Sequence, residues 1–215
     1  MQTMYSAENI NPEIAQVLTE LGEQKSDALR SNWATFTPIL LTLVDDVDTG
    51  YRVRGLQILT EFIEKAPAEV LGKATGLGGV LEDSVMPTMH FLPSLVPEHE
   101  SATLLKVAFN ALIALARKLL SLPYERAPAP AARTGSRSGG GGGGDGVALL
   151  GRVLREGVFI GYSHAKEYPS VVDTQTVATR DIMNELGVNG IIHLKVCGAF
   201  QHLRGYDFHN KLTTR

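Results

Sequence analysis

The chain has 215 residues, a net charge of −3 and a pI near 6.1, so it lacks the Lys/Arg excess by which non-specific nucleic-acid binders neutralise phosphates. With 44% hydrophobic and 20% charged residues it can bury a core, and the length suits one domain with at most a small satellite. Cys197 is the single cysteine; it cannot form an internal disulfide, which fits a reducing compartment.

The first twenty residues have neither a basic n-region nor an apolar h-region, so no signal peptide is expected. The most apolar stretch, Phe109–Leu122, is interrupted by Arg117 and Lys118 and falls short of the roughly 20 apolar residues a bilayer requires. A soluble cytoplasmic and nuclear protein is the expectation.

In chain order, Asn11-Pro12 reads as an N-cap followed by a first-turn proline, and Ile14, Val17, Leu18 and Leu21 follow at helical spacing up to Gly22. A second helix is predicted from Ser31, with Trp33, Phe36, Ile39, Leu40, Leu43 and Val44 on one stripe and Pro38 kinking or breaking it. The acidic turn Asp45–Asp48 ends it. A third helix carries Tyr51, Val53, Leu56, Ile58, Leu59, Phe62 and Ile63 on a wide apolar face, closed by Pro67. Gly72–Gly79 reads as a glycine-rich connection. A helix through Val80, Leu81, Val85, Met86, Met89 and Leu92 follows, with Pro87 inside it, then a turn to Pro97. Glu98–Ser121, dense in Ala and Leu, is the longest helical run.

Residues 123–146, rich in Pro and Ala and ending in a run of glycines, cannot bury enough apolar surface to offset ordering and read as a linker. Helical pattern resumes at Val147 through Leu149, Leu150, Val153, Leu154, Val158 and Phe159. A further helix follows Tyr168-Pro169-Ser170, with Gly187 as its stop, and Val188–Leu194 forms a last short one. No stretch alternates with the period of a strand. The domain plan is helical repeats over 1–122, the linker over 123–146, a further repeat over 147–195 and an atypical tail over 196–215. The expected core is Trp33, Phe36, Leu40, Leu56, Leu59, Phe62, Leu81, Val85, Leu105, Phe109, Leu112, Leu115, Leu154, Val158 and Leu186.

Repeated helix–tight turn–helix units build α-solenoids, and an all-α, HEAT/armadillo-like solenoid of antiparallel helix pairs is the fold class this pattern predicts. One pair matches a HEAT repeat in detail: Pro38 in the first helix, Asp46 or Asp48 in the turn, and Val53-Arg54 early in the second. The proline bends the outer helix, the aspartate caps the next helix within reach of an arginine, and the valine packs between repeats.

Two longer blocks, Leu81–Ser101 with Leu104–Ala116, and Leu154–Val172 with Asn184–Lys195, resemble the second of the Tel-two-interacting proteins, a HEAT-repeat subunit of the TTT co-chaperone complex. The resemblance covers most of Trp33–Lys195. It implies an adaptor that joins the other two TTT subunits, both large α-solenoids. That complex assists the Hsp-ninety chaperone system in stabilising and assembling phosphatidylinositol-3-kinase-related kinases, including those that sense DNA damage and nutrients. Arg155, Glu156, Tyr162, His164 and Lys195 in the second block are the candidate partner contacts. Family chains are longer, and past Lys195 the apolar helix pattern fades. Ser163 and Asn189-Gly190 are poorer helix formers than the family tends to keep there.

No catalytic, cofactor or metal site is predicted. The glycine run lacks the Gly-Lys-Ser/Thr ending of a phosphate loop, and Gly72-Lys73 is preceded at the required spacing by Pro67 rather than glycine. His193, Cys197, His202 and His209 match no zinc module. Cys197 has no activating neighbour. Asp45, Asp46 and Asp48 lack the Glu at position twelve of a calcium loop, where Leu56 stands. His90, Glu98, His99 and Glu100 do not form His-Glu-x-x-His; the two glutamates favour a helix N-terminus. His164 and Glu167 suggest an inter-helix hydrogen bond. The alternative to the adaptor is another HEAT-type interaction solenoid of the transport or phosphatase-regulatory kind, which would need more tandem copies and a charged or Asn-rich concave face. An enzyme would need converging titratable groups, and none is found in the sequence.

Overall fold

The computed structural model describes residues 26–122 and 143–193. The expected helix over 11–22, the tail over 196–215, Lys195 and Cys197 lie outside the described residues. Among the described residues all regular structure is helical, with no strand. Its order is α1 (Ser26–Val44), α2 (Thr49–Lys65), α3 (Ala68–Leu71), α4 (Leu77–Val85) running into a 3-10 turn (Met86–His90), α5 (Glu98–Leu120), α6 (Gly143–Arg152), a π-helical segment (Val153–Phe159), α7 (Ile160–Ala165), α8 (Pro169–Leu186) and a closing 3-10 segment (Gly187–His193).

Three helix pairs stack in two layers. One layer holds α1, α4 and the α6–π–α7 run; the other holds α2, α5 and α8, with α5 packed on α2, α6 and α8. Side-chain clips show that α2, α5 and α8 run in the same direction. Near their N-termini, Thr49 Oγ1 donates to Glu100 Oε2 at 2.7 Å and the Ser170 backbone N–H donates to Glu98 Oε1 at 2.9 Å. Near their C-termini, Lys118 Nζ donates to the Glu64 and Ala66 carbonyls at 2.6 and 3.0 Å, and Arg117 Nε meets Glu185 Oε1 at 2.8 Å. Parallel second helices joined through antiparallel partners are what stacking of like pairs produces. The fold is all-α and solenoid-like.

The first pair follows its expected turn. Asp48 is the N-cap of α2, its Oδ1 accepting from the Gly50 and Tyr51 N–H groups at 2.8 and 3.1 Å and so satisfying two of the free donors of the first turn. Val53 packs half-buried against the core. Arg54, by contrast, lies along α2 and donates to Gln57 Oε1 at 3.3 Å. The arginine beneath the turn is Arg52: its Nε donates to the Asp46 carbonyl at 2.9 Å, and its guanidinium lies 4.2 Å from the centroid of the Phe91 ring. Helix α1 runs through Pro38 unbroken and begins at Ser26, five residues before the expected Ser31.

Several other boundaries differ from those the sequence pattern predicts. Past Pro67, where no element is expected, the chain makes the short helix α3. Gly76 adopts φ +71°, and helix α4 starts directly after it, so Gly78 and Gly79 are helical rather than loop. Gly78 is required there, because a Cβ would come within 2.4 Å of the Leu71 carbonyl oxygen. At the far end Pro87, having no N–H, cannot continue the i→i−4 ladder, and α4 tightens to 3-10 after Val85. Helix α6 starts at Gly143, four residues before the expected Val147. Gly187, at φ +51°, stops α8 as expected.

Of the expected core, Leu40, Leu56, Leu59, Phe62, Leu81, Val85, Leu105, Phe109, Leu112, Leu115, Leu154, Val158 and Leu186 are all buried. Trp33 and Phe36 are half-buried, and Ile39, expected on their stripe, is 39% exposed. Burying each of these Leu or Phe side chains contributes about 1.5–3 kcal/mol.

Candidate partner-docking surface

No three His, Cys, Asp or Glu side chains converge on a metal-sized site among the described residues, and no described helix is long and apolar enough to cross a membrane. Glu98 and Glu100 serve as the inter-helix clips described above, a more specific role than favouring a helix N-terminus. His164 and Glu167 are both exposed, and among the described residues neither makes the expected inter-helix hydrogen bond. What the molecule offers is surface, concentrated on the third pair.

The π segment lies in the middle of that pair's first helix. The wide turn carries Gly157 onto the second pair, where a Cβ would sit 3.1 Å from Met89 Sδ and 3.4 Å from the Phe109 ring. Just before it, Arg152 bridges the pairs, with Nη1 2.9 Å from Glu82 Oε1 and 3.2 Å from Asp83 Oδ1, while its Nε holds Glu156 Oε2 at 3.1 Å. These hydrogen bonds, that of Glu156 first, push the guanidinium pKa further up, keeping it charged.

The candidate contacts fall on this run in different settings. Arg155 and His164 are exposed, Glu156 is half-buried and tied to Arg152, and Tyr162 is half-buried. Glu156, Ile160 and His164 recur every fourth residue and share an outward stripe, on which Ile160 is 46% exposed. Arg155 instead leans over Gly151. A Cβ on Gly151 would meet Arg155 Nη1 at 3.2 Å and His193 Nε2 at 3.3 Å, so the glycine lets both side chains close over the helix. Burial first, and the Arg155 charge second, hold the His193 imidazole pKa below its usual value of 6.5.

The closing 3-10 segment, which no motif in the sequence marks as a site, folds back across the third pair. Gly190 sits on Met183, where a Cβ would come within 2.8 Å of Cε, and His193 is buried against Gly151. This turns three aliphatic side chains outward: Val188 at 80%, Ile191 at 64% and Ile192 at 75% exposure. Together they make an apolar face on the closing segment. The period-3.6 pattern alone could not reveal it, since in an α-helix the same residues would share a buried stripe.

No curated protein and no solved structure matches the chain. The family model of the Tti2 family matches residues 9–197, which spans the three helix pairs, the segment between α5 and α6, and the closing segment. The chain belongs to the Tti2 family.

Proposed function

We propose that this protein is a non-catalytic adaptor subunit of the TTT co-chaperone complex, assisting Hsp-ninety-dependent stabilisation and assembly of phosphatidylinositol-3-kinase-related kinases in cytoplasm and nucleus. The observation that carries the reading is the family match over residues 9–197, and a TTT-related role follows from it at the coarse level. The outward Val188, Ile191 and Ile192 support the finer one: they offer an aliphatic face to a helix of one of the two large α-solenoid subunits. Stacking there would bury aliphatic surface as the three pairs of this chain already do against each other. Arg155 and His164 lie on the neighbouring run and would form the polar rim.

The test is co-expression of the full chain with the other two TTT subunits, followed by affinity purification. Recovery of both subunits is expected, together with its loss in the double variant Ile191→Asp, Ile192→Asp at unchanged helicity. Failure of the natural chain to retain either subunit overturns the adaptor role. Retention by the double variant moves the docking surface elsewhere.

A further inference from the structure

The closing segment is held at three points. Gly187 turns the chain off α8 at φ +51°, Gly190 seats on Met183, and His193 comes down on α6 at Gly151. The last of these is the one that chemistry can break. A single point, where a Cβ on Gly151 would stand, lies 3.3 Å from His193 Nε2 and 3.2 Å from Arg155 Nη1, so imidazole and guanidinium share the space over one glycine. His193 is buried there, while Ile191 and Ile192 just before it in the chain are exposed. The anchored ring therefore decides which way those two side chains face.

A neutral ring suits this position and a protonated one does not. Of the charged groups on the elements around it, Arg155 of the π segment is the one that bears on the ring, and it is a cation. Arg152 of α6, Glu156 of the π segment, and Glu82 and Asp83 of α4 are taken up by one another. On α8, Glu185 is held by Arg117, and the residues under Gly190 are Met183 and Leu186. Burial first, and the Arg155 charge second, thus disfavour the imidazolium in the closed arrangement. A released ring takes a proton more readily than the anchored one. The closed form is fully favoured above the window that ends at the ordinary imidazole pKa of 6.5, and loses ground as pH falls through it.

We propose that the closing segment is a strap latched by His193 over Gly151, and that it offers its aliphatic face to a partner subunit only while the latch is shut; a proton on His193 opens it. Val188, Ile191 and Ile192 bind a helix well when they are held in one arrangement beforehand. A released segment must be ordered at the moment of binding, and its affinity falls by the fraction that is not competent. The identity of the partner rests on the adaptor reading; the strap does not.

The test follows the full chain from about pH 8 to about pH 5.5, the range in which an imidazole titrates. In the free chain, the methyl ¹H–¹³C signals of Ile191 and Ile192 should move toward random-coil positions in step with the His193 ring, while those of buried Ile182 in α8 stay in place. Affinity for the other two TTT subunits is then measured over the same range. It should weaken by at most about tenfold per pH unit, the limit for one proton, and His193→Asn should remove that weakening. Any titration on the partners' side appears equally in the variant. Arg155→Met should shrink the pH dependence, since the neighbouring cation helps to separate the anchored ring from the released one. Gly151→Val, a wedge under the ring, should give at about pH 8 the isoleucine signals that the natural chain shows only in acid, with helicity unchanged. Isoleucine signals that ignore the titration of His193 overturn the strap. A pH dependence shared by the natural chain and His193→Asn overturns its control of docking. Absence of binding at every pH is the failure of the adaptor reading and removes the partner from this proposal, while the free-chain signals still decide the strap.

Discussion

The first and third helix pairs reach the same topology by opposite means. In α1–α2 the helices meet without relief: a Cβ on Gly55 would lie 2.7 Å from the backbone carbon and oxygen of Leu43, and the turn between them is fixed by the Asp48 cap and by Arg52 on the Asp46 carbonyl. In the third pair the first helix widens into a π segment, and Gly157 and Gly161 face the ends of flexible side chains, Met89 and Gln175. The third pair also buries Gln175 completely with neither amide atom hydrogen-bonded. The first pair is set by backbone contact and local capping; along its π run the third meets adjustable side chains, although α6 before that run still packs on the Ala116 carbonyl through Gly146. Repeats can thus stack in register while differing in how much change each tolerates.

The largest expected effect is in the rigid pair. Leu59 is 0% exposed on the core face of α2, and Leu59→Asp buries a carboxyl with no partner. A loss of about 4 kcal/mol or more is expected, the range reserved for such core lesions, with the first pair unfolding. Urea denaturation followed by circular dichroism checks it; an unchanged midpoint would remove Leu59 from the core.

A matched pair of substitutions tests the contrast itself. Gly55→Ala forces the α1 and α2 backbones apart and should cost about 1–3 kcal/mol. Gly157→Ala meets chiefly the Met89 thioether, which can move, and gains up to about 1 kcal/mol of helix propensity, so its net effect should lie within about 1 kcal/mol of zero. Similar losses at both sites would erase the distinction between the two pairs.

These differences also explain what could be read in the sequence. Asp48, Glu98, Gly187 and the core leucines are legible because a cap, a helix start, a stop and a 3.6-residue stripe each depend on a few neighbouring residues. The role of Arg52 is not, since it depends on Phe91 arriving from another pair. Gly143–Gly146 read as linker on composition. The helix holds there because tertiary contacts override propensity: Gly146 comes so close to Ala116 that a Cβ would lie 2.8 Å from its carbonyl oxygen, and Lys73 meets Asp145 at 3.3 Å. The outward set of Val188, Ile191 and Ile192 likewise emerges only when the closing segment is seen to be 3-10 and folded back. Of the candidate contacts, the structure gathers Glu156 and His164 on one stripe, turns Arg155 toward His193 and leaves Tyr162 half-buried.

The buried amide sharpens the comparison from the other side. Gln175→Met keeps the shape and removes two unsatisfied polar atoms, and should raise stability by about 1 kcal/mol, the low end of the penalty for such groups. Thermal melts of the full chain measure it. A fall in the midpoint would mean that the amide is hydrogen-bonded in solution, with an ordered water as the natural partner.

The smallest effect separates the closing segment from the pair it covers. His193 has its pKa held below 6.5 in the folded chain by burial and by the Arg155 charge, while in the unfolded chain it titrates near the usual value. Between those two pKa values the unfolded state binds more protons, so its linkage contribution adds stability as pH rises through the window below 6.5 and is fully present above it; acidification removes it. Because His193 closes over Gly151 beside Arg155 at the far end of the closing segment, the loss should fall on that segment before the helices beneath. Amide hydrogen exchange at Gly187–His193 should therefore speed up as pH is lowered toward about 5, relative to α8 and after correction for intrinsic rates. His193→Asn should flatten that dependence. Exchange that rises equally in α8 would place the titration within the third pair's core, and the closing segment would then be part of that pair rather than a separable cover.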